Sequence, residues 1–167
     1  WKTGIKEARF FAVFVDEPEK VTEKQMNSWV KDFDSWDVCD QVCTSLFDKS
    51  SYAWKKAYEW SEREEEFVKR AAFSLVAGLS VHDKKTCDEK FEKFMLVITK
   101  HANDERNYVK KAVNWALRNI GKRNINLNKK AIKTAEELIT TKNKTAIWIA
   151  KNALKELKSE KVKNRLT

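Results

Sequence analysis

One pattern of apolar residues recurs along the chain, and it limits the fold more than any other feature. From Phe67 the apolar positions are Phe67, Val68, Ala71, Ala72, Leu75, Val76 and Leu79. From Tyr108 they are Tyr108, Val109, Ala112, Val113, Ala116, Leu117 and Ile120, an offset of 41 residues. Most of the set returns 37 residues later as Ile149, Ala150, Ala153, Leu154 and Leu157. An earlier stretch, Val38, Cys39, Val42, Cys43, Leu46 and Phe47, keeps the same rhythm. Each is a stripe at the 3.6-residue period of an α-helix. Further helices are expected between them, over Lys90–Lys100 (Phe91, Phe94, Met95, Ile98) and Lys129–Ile139. Only three glycines and one proline interrupt the 167 residues, so the helices are expected to be long and the turns few.

Helix pairs returning at about 40 residues are the signature of a HEAT-like array. The expected fold is therefore all-α: one HEAT-like solenoid domain over residues 1–167, an α-α superhelix whose concave face is the binding surface. The competing reading is a helical bundle whose stripes coincide by chance, and three matching stripes at similar spacing make it the weaker one. No apolar run reaches membrane-spanning length and no signal peptide opens the chain. The sequence starts on Trp1, and N-terminal helices are expected to precede it.

Charge is uneven. Residues 100–167 hold 18 Lys and Arg against 6 Asp and Glu, a net +12, whereas residues 1–99 hold 16 against 19, a net −3. A basic half points to a polyanion such as nucleic acid, or else to a solvated lysine-rich surface. Arg70 and Lys111 take the same slot in their repeats, away from the apolar stripe, so stacked repeats would line them up for a phosphate backbone. Cys39, Cys43 and Cys87 are odd in number and lack a framework spacing, which fits a reducing, intracellular setting. Cys39 and Cys43 lie four apart, but His82 and His101 have no partner spacing, so two buried structural thiols are expected and no metal.

The stretch SWDVCD (35–40) places carboxylates beside a tryptophan in a lysine-rich chain. On a wheel at ~100° per residue the buried stripe of the 36–47 helix centres between Cys39 and Leu46. Asp37 then lies about 170° away, in solvent, and reads as an N-terminal helix charge. Trp36 and Asp40 lie at about 70° and 110°, adjacent on the shoulder of the stripe. Trp115 stands off its own stripe within VKKAVNWALRNIGKR (109–123), where a large aromatic either meets a partner or packs between repeats. Trp1, Trp29, Trp54, Trp60 and Trp148 are read as packing residues.

The ordered set WDVCDQVC (36–43), FVKRAAFSLV (67–76) and YVKKAVNWALRNIGKRN (108–124) resembles the AlkD-like DNA alkylation repair glycosylases. The resemblance runs from IKEARFFA (5–12) to the last helix, as in a member lacking its N-terminal helices. Those enzymes are built from HEAT-like repeats and hydrolyse the glycosidic bond of N3- or N7-alkylated purines in duplex DNA. They are thought to act without extruding the base, unlike most glycosylases. The resemblance implies that Trp36 and Trp115 bracket the lesion's deoxyribose, that Asp40 is the catalytic carboxylate, and that Arg70 beside it contacts the backbone. The residues expected to meet DNA are Arg70, Lys69, Lys110, Lys111, Arg118, Lys122, Lys144 and Lys151. No cofactor is expected, the chain is expected to act as a monomer, and the setting implied is the cytoplasm, on nucleoid DNA.

The implied chemistry suits these residues. A cationic alkylpurine leaves easily, and bond cleavage moves positive charge onto the sugar. A fixed carboxylate and tryptophan faces both stabilise that charge. Two positions depart from the family pattern: Ser35 stands where an aromatic is common, and Cys39 where an aliphatic residue is expected, changes that bear on lesion preference. Two other readings remain open, a non-catalytic DNA-binding HEAT protein and a protein-interaction scaffold. Neither needs Trp36, Asp40, Arg70 and Trp115 together. No Gly-rich phosphate loop, nucleophile elbow or paired-histidine motif is present, which leaves nucleotide hydrolysis, serine hydrolase and zinc-enzyme chemistry without support.

Overall fold

A computed structural model describes residues 1–166, and it is all-α as the periodicity requires. Among these residues the helices are α1 Lys6–Val15, α2 Glu23–Trp29, α3 Trp36–Ser45, α4 Ala53–Ser61 and α5 Glu66–His82, then α6 Asp88–His101, α7 Asn107–Gly121, α8 Ile125–Ile139, α9 Lys144–Leu157 and α10 Glu160–Leu166. None is long and apolar enough to cross a membrane. The chain forms two compact units, Trp1–Asp83 and Lys84–Thr167.

In the first unit α5 is the central element. Its residues from Val68 to Ser80 are all buried, which fits a helix that is apolar or small nearly all round. α3 and α4 pack on it. The α3 contact is close because small side chains face it. The Cys39 and Cys43 thiols, both buried, donate to the Phe67 and Ala71 carbonyls of α5 at 3.6 and 3.7 Å. Burial raises the Cys43 thiol's pKa well above its ordinary value, so these cysteines act as small core residues. The apolar stripe of α3 continues into Leu46 and Phe47, but the α-helix stops at Ser45. Leu46 leaves helical geometry at φ −129°, ψ −60°, and a 3-10 turn covers Phe47–Lys49. Both side chains are nonetheless buried.

Aromatic packing closes the other side of this unit. Trp1 stacks on Trp29 with ring centres 4.0 Å apart and planes 1° from parallel. Phe47 sits 5.9 Å from Trp29 and 6.3 Å from Trp60. A second α5 contact depends on Gly78, where a Cβ would come within 2.5 Å of Asp48 Oδ2. Its absence admits the Asp48 carboxylate, whose other oxygen has no hydrogen-bond partner in the protein while Oδ2 lies 2.6 Å from His82 Nδ1. Burial pushes the Asp48 pKa up, and His82 pulls against that shift.

In the second unit α7, α8 and α9 pack on one another, and α6 on α7 and α8. α8 begins at Ile125, four residues before the sequence pattern places it. The cause is Asn124, whose side chain accepts the Leu127 N–H at 2.9 Å and caps the helix. Asn143 caps α9 in the same way through the Ala146 N–H. Gly121, at the end of α7, is a close-approach position: a Cβ there would lie 2.7 Å from Leu157 Cδ2 and 2.9 Å from Ala131 Cβ. Leu157 has rotamers to use, but the Ala131 Cβ moves only with α8. Gly121→Ala is therefore expected to cost about 1–3 kcal/mol by overpacking, in spite of alanine's higher helix propensity. A melting temperature equal to or above that of the parent would show that the α7–α8 contact yields freely.

Candidate functional site

α3 and α5 bring three of the sequence-derived residues together. Trp36 opens α3, and its indole is 53% exposed. Asp40 follows one turn later on the same side of the helix, its side chain 17% exposed. From α5, Arg70 reaches across with two parallel hydrogen bonds, Nε to Asp40 Oδ1 at 2.9 Å and a terminal nitrogen to Oδ2 at 2.6 Å. Ser74, one turn beyond Arg70, donates its hydroxyl to the same Oδ1 at 2.8 Å. The carboxylate is thus held by a guanidinium fork and a hydroxyl, a geometry that fixes its plane as well as its position.

Two details differ from the sequence expectation. The repeat pattern puts Arg70 with Lys111 in a slot away from the apolar stripe, yet Arg70 is 5% exposed and Lys111 is exposed. The shared slot fails as a guide to exposure because α5 is covered on more sides than α7, and because Arg70 turns to Asp40. Asp37 is not left in solvent either. Its Oδ1 accepts the Val38 N–H at 2.9 Å and its Oδ2 pairs with Lys6 from α1. The Lys6 ammonium holds the Asp37 carboxyl below its ordinary pKa. Asp37 therefore anchors α1 to the first turn of α3, and the carboxylate beside Trp36 that faces the α3–α5 groove is Asp40.

Ser74 was missed in the sequence. It stands in FVKRAAFSLV at four residues from Arg70, so helical spacing puts both on one face of α5. That spacing is the readable signal, because the Arg70–Asp40 pair brings the same face of α5 to the carboxylate.

The other sequence-derived residues divide by environment. Lys69 is 6% exposed and its ammonium lies 4.0 Å from Glu64, so it is a buried residue of α5 and not a surface cation. In the second unit, Trp115 is half-buried on α7. Arg118 and Lys122 both bond Glu156 of α9, Lys122 at 2.6 Å. Burial raises the Glu156 pKa, but Lys122 and Arg118 outweigh it and the net shift is downward. Lys110 lies 5.5 Å from the centre of the Trp148 ring. Lys111, Lys144 and Lys151 are exposed. Among the described residues no cluster of three or more His, Cys, Asp or Glu could hold a metal ion.

A carboxylate held by three donors on a helix that also carries an exposed tryptophan can stabilise a cation placed against it and orient a water molecule. Among solved structures the chain is similar to a member of a new family of proteins related to the HEAT-like repeat DNA glycosylases, with affinity for branched DNA structures. That match has a TM-score of 0.75 and 20% identity, and covers 99% of this chain and 72% of the other. It establishes the HEAT-like fold. A designed armadillo repeat protein bound to a (KR)4 peptide matches with a TM-score of 0.43 and 15% identity, over 99% of this chain and 70% of its own. No curated protein matches the sequence at a significant level. The profile of the family described as DNA alkylation repair enzyme matches residues 1–157. With that match over nearly its whole length, the chain belongs to the DNA alkylation repair enzyme family.

Proposed function

We propose that this protein is a DNA glycosylase that hydrolyses the N-glycosidic bond of N3- or N7-alkylated purines in duplex DNA, with the damaged base left in the stack. The observation that carries the reading is the Asp40 carboxylate, fixed by Arg70 and Ser74 one helical turn from the exposed indole of Trp36. In the reaction the C1′–N bond breaks and its electron pair goes to the purine, which neutralises the cationic base as it leaves. The sugar becomes oxocarbenium-like. Water then forms the new bond to C1′ through its oxygen and gives its proton up to solvent.

Asp40 has the position for two of these tasks. An ionised carboxylate offers about four lone-pair sites. Arg70 and Ser74 take two on Oδ1, and Arg70 takes one on Oδ2. The remaining site on Oδ2 is the one that would face the sugar cation or the attacking water. Trp36 would offer the negative face of its ring to the same charge. Arg70 acts as a positioning residue: its guanidinium is engaged by the carboxylate and buried, so phosphate contacts fall to exposed cations. Trp115 enters the proposed site only through the resemblance.

The test is release of 7-methylguanine and 3-methyladenine from methylated duplex DNA, followed by chromatography of the freed bases. Release supports the reading. A second reading is supported by the fold relative with affinity for branched DNA and by the Asp40–Arg70 pair itself, whose burial is also that of a structural ion pair. On that reading the protein binds DNA and excises nothing. Absence of freed base with retained binding to branched or methylated DNA would establish it.

A further inference from the structure

The sequence assigns Trp148 to packing, but the structure leaves its indole 38% exposed on α9. Its charged neighbours on that face are all cationic, and the neutral Asn152 beside it donates to the Trp148 carbonyl at 2.8 Å. At ~100° per residue, Lys144, Trp148, Lys151 and Lys155 fall within an arc of about 60°, opposite the buried stripe that ends at Leu157. The three lysines are exposed. The helix has one carboxylate, Glu156, and it is turned away to Arg118 and Lys122. From α7, Lys110 places its ammonium 5.5 Å from the centre of the Trp148 ring. The stripe from Lys144 to Lys155 runs about 16 Å along the helix axis, enough for more than one nucleotide.

From this arrangement we infer that the exposed face of α9 is a stacking platform for an unpaired nucleotide, with Trp148 receiving the base and Lys110, Lys144, Lys151 and Lys155 holding the strand's phosphates. The choice of occupant rests on charge and on the ring. Residues 84–167 carry 22 Lys and Arg against 9 Asp and Glu, a net +13, which selects a polyanion. Lysines alone would serve a duplex backbone, where the bases are stacked on each other and offer no free face. A protruding indole among them gains contact only when a base face is open, as in a single strand, a gap or a frayed end. An acidic peptide satisfies the lysines but gives the indole no flat aromatic partner. Lys110 suits both states: it covers the ring by a cation–π contact without nucleic acid, and it can move to the phosphate of the nucleotide that stacks.

The reading does not depend on excision chemistry, since none of these residues touches Asp40, and the test is therefore pure binding. The probes are a fluorescent oligothymidylate, an equally long abasic deoxyribose-phosphate strand and a blunt duplex, each titrated with the full chain at fixed salt. Trp148→Ala is expected to weaken oligothymidylate binding about tenfold, the effect of losing one stacked base. The same substitution is expected to leave the abasic strand and the duplex unchanged. Trp148→Phe keeps a ring and is expected to recover most of the loss, whereas a merely structural role for the indole would weaken all three probes together. Equal loss on the abasic strand, or no loss on oligothymidylate, overturns the inference. If methylated DNA yields no freed base while this pattern holds, the platform stands and the glycosylase reading falls.

Discussion

Asp40→Asn is expected to lower the release of alkylated purine by about 10²–10³-fold, the usual cost of removing one preorganised electrostatic group from a reacting centre. Duplex affinity should be unchanged, because the substituted group lies against Arg70 and Ser74 and not on the cationic surface. The substitution has a structural cost that must be separated from the chemical one. Arg70 is buried, and a neutral residue at position 40 removes the carboxylate from this buried pair, a change worth about 3–5 kcal/mol. The asparagine amide also turns a donor toward the guanidinium or the serine hydroxyl. Asp40→Glu resolves this. It keeps the charge for Arg70 but moves the carboxylate by one methylene, so the chain should melt near the parent temperature while release still falls. If Asp40→Glu or Asp40→Asn remains folded and frees base at the parent rate, Asp40 is a structural ion-pair partner and the chemistry lies elsewhere.

Much of the fold was legible because it rests on one repeating quantity. The apolar stripes of α5, α7 and α9 are regular, and each of the residues Ala71, Val113 and Ile149 is buried where the wheel puts it. Boundaries were less legible, since they depend on single side chains. Asn124 moves the start of α8 forward by one turn, and Leu46 ends α3 before its apolar stripe does. The placement of Asp40 and Trp36 on the shoulder of α3 followed from angle alone. The partners of Asp40 did not, because they come from α5 across a helix–helix contact, and a single-helix wheel carries no information about which neighbour covers which face. Arg70, Lys69 and Trp148 show the same limit. Two cations that the sequence placed at the surface are buried, and an indole assigned to packing is exposed. Charge and hydropathy rank the average fate of a residue type, while the packing partner decides the individual case.

Phe47→Ala is expected to cause the largest loss of stability in the first unit. The side chain is fully buried, with ring centres 5.9 Å from Trp29 and 6.3 Å from Trp60, so its removal opens a cavity between two large rings that cannot close by small rotations. Truncation of a buried phenylalanine costs about 3–5 kcal/mol, and each lost aromatic pair contributes about 0.5–1.5 kcal/mol of its own. For a chain of this size one kcal/mol corresponds to about 2–4 °C, so the melting temperature should fall by about 10 °C or more. Phe47→Leu, which fills part of the space, should lose distinctly less. Phe11→Ala, where the ring is 69% exposed, should stay within about 0.5 kcal/mol of the parent. Circular dichroism melts of the three variants decide the matter, and a Phe47→Ala melt beside that of Phe11→Ala would mean that the aromatic cluster is not what holds this unit together. The result also bears on the proposed chemistry. Phe47 lies two residues past the end of α3, the helix that carries Trp36 and Asp40. A cavity there loosens the anchor of that helix, so release of base should fall in Phe47→Ala even at temperatures where the chain remains folded, and Phe47→Leu should restore both properties together.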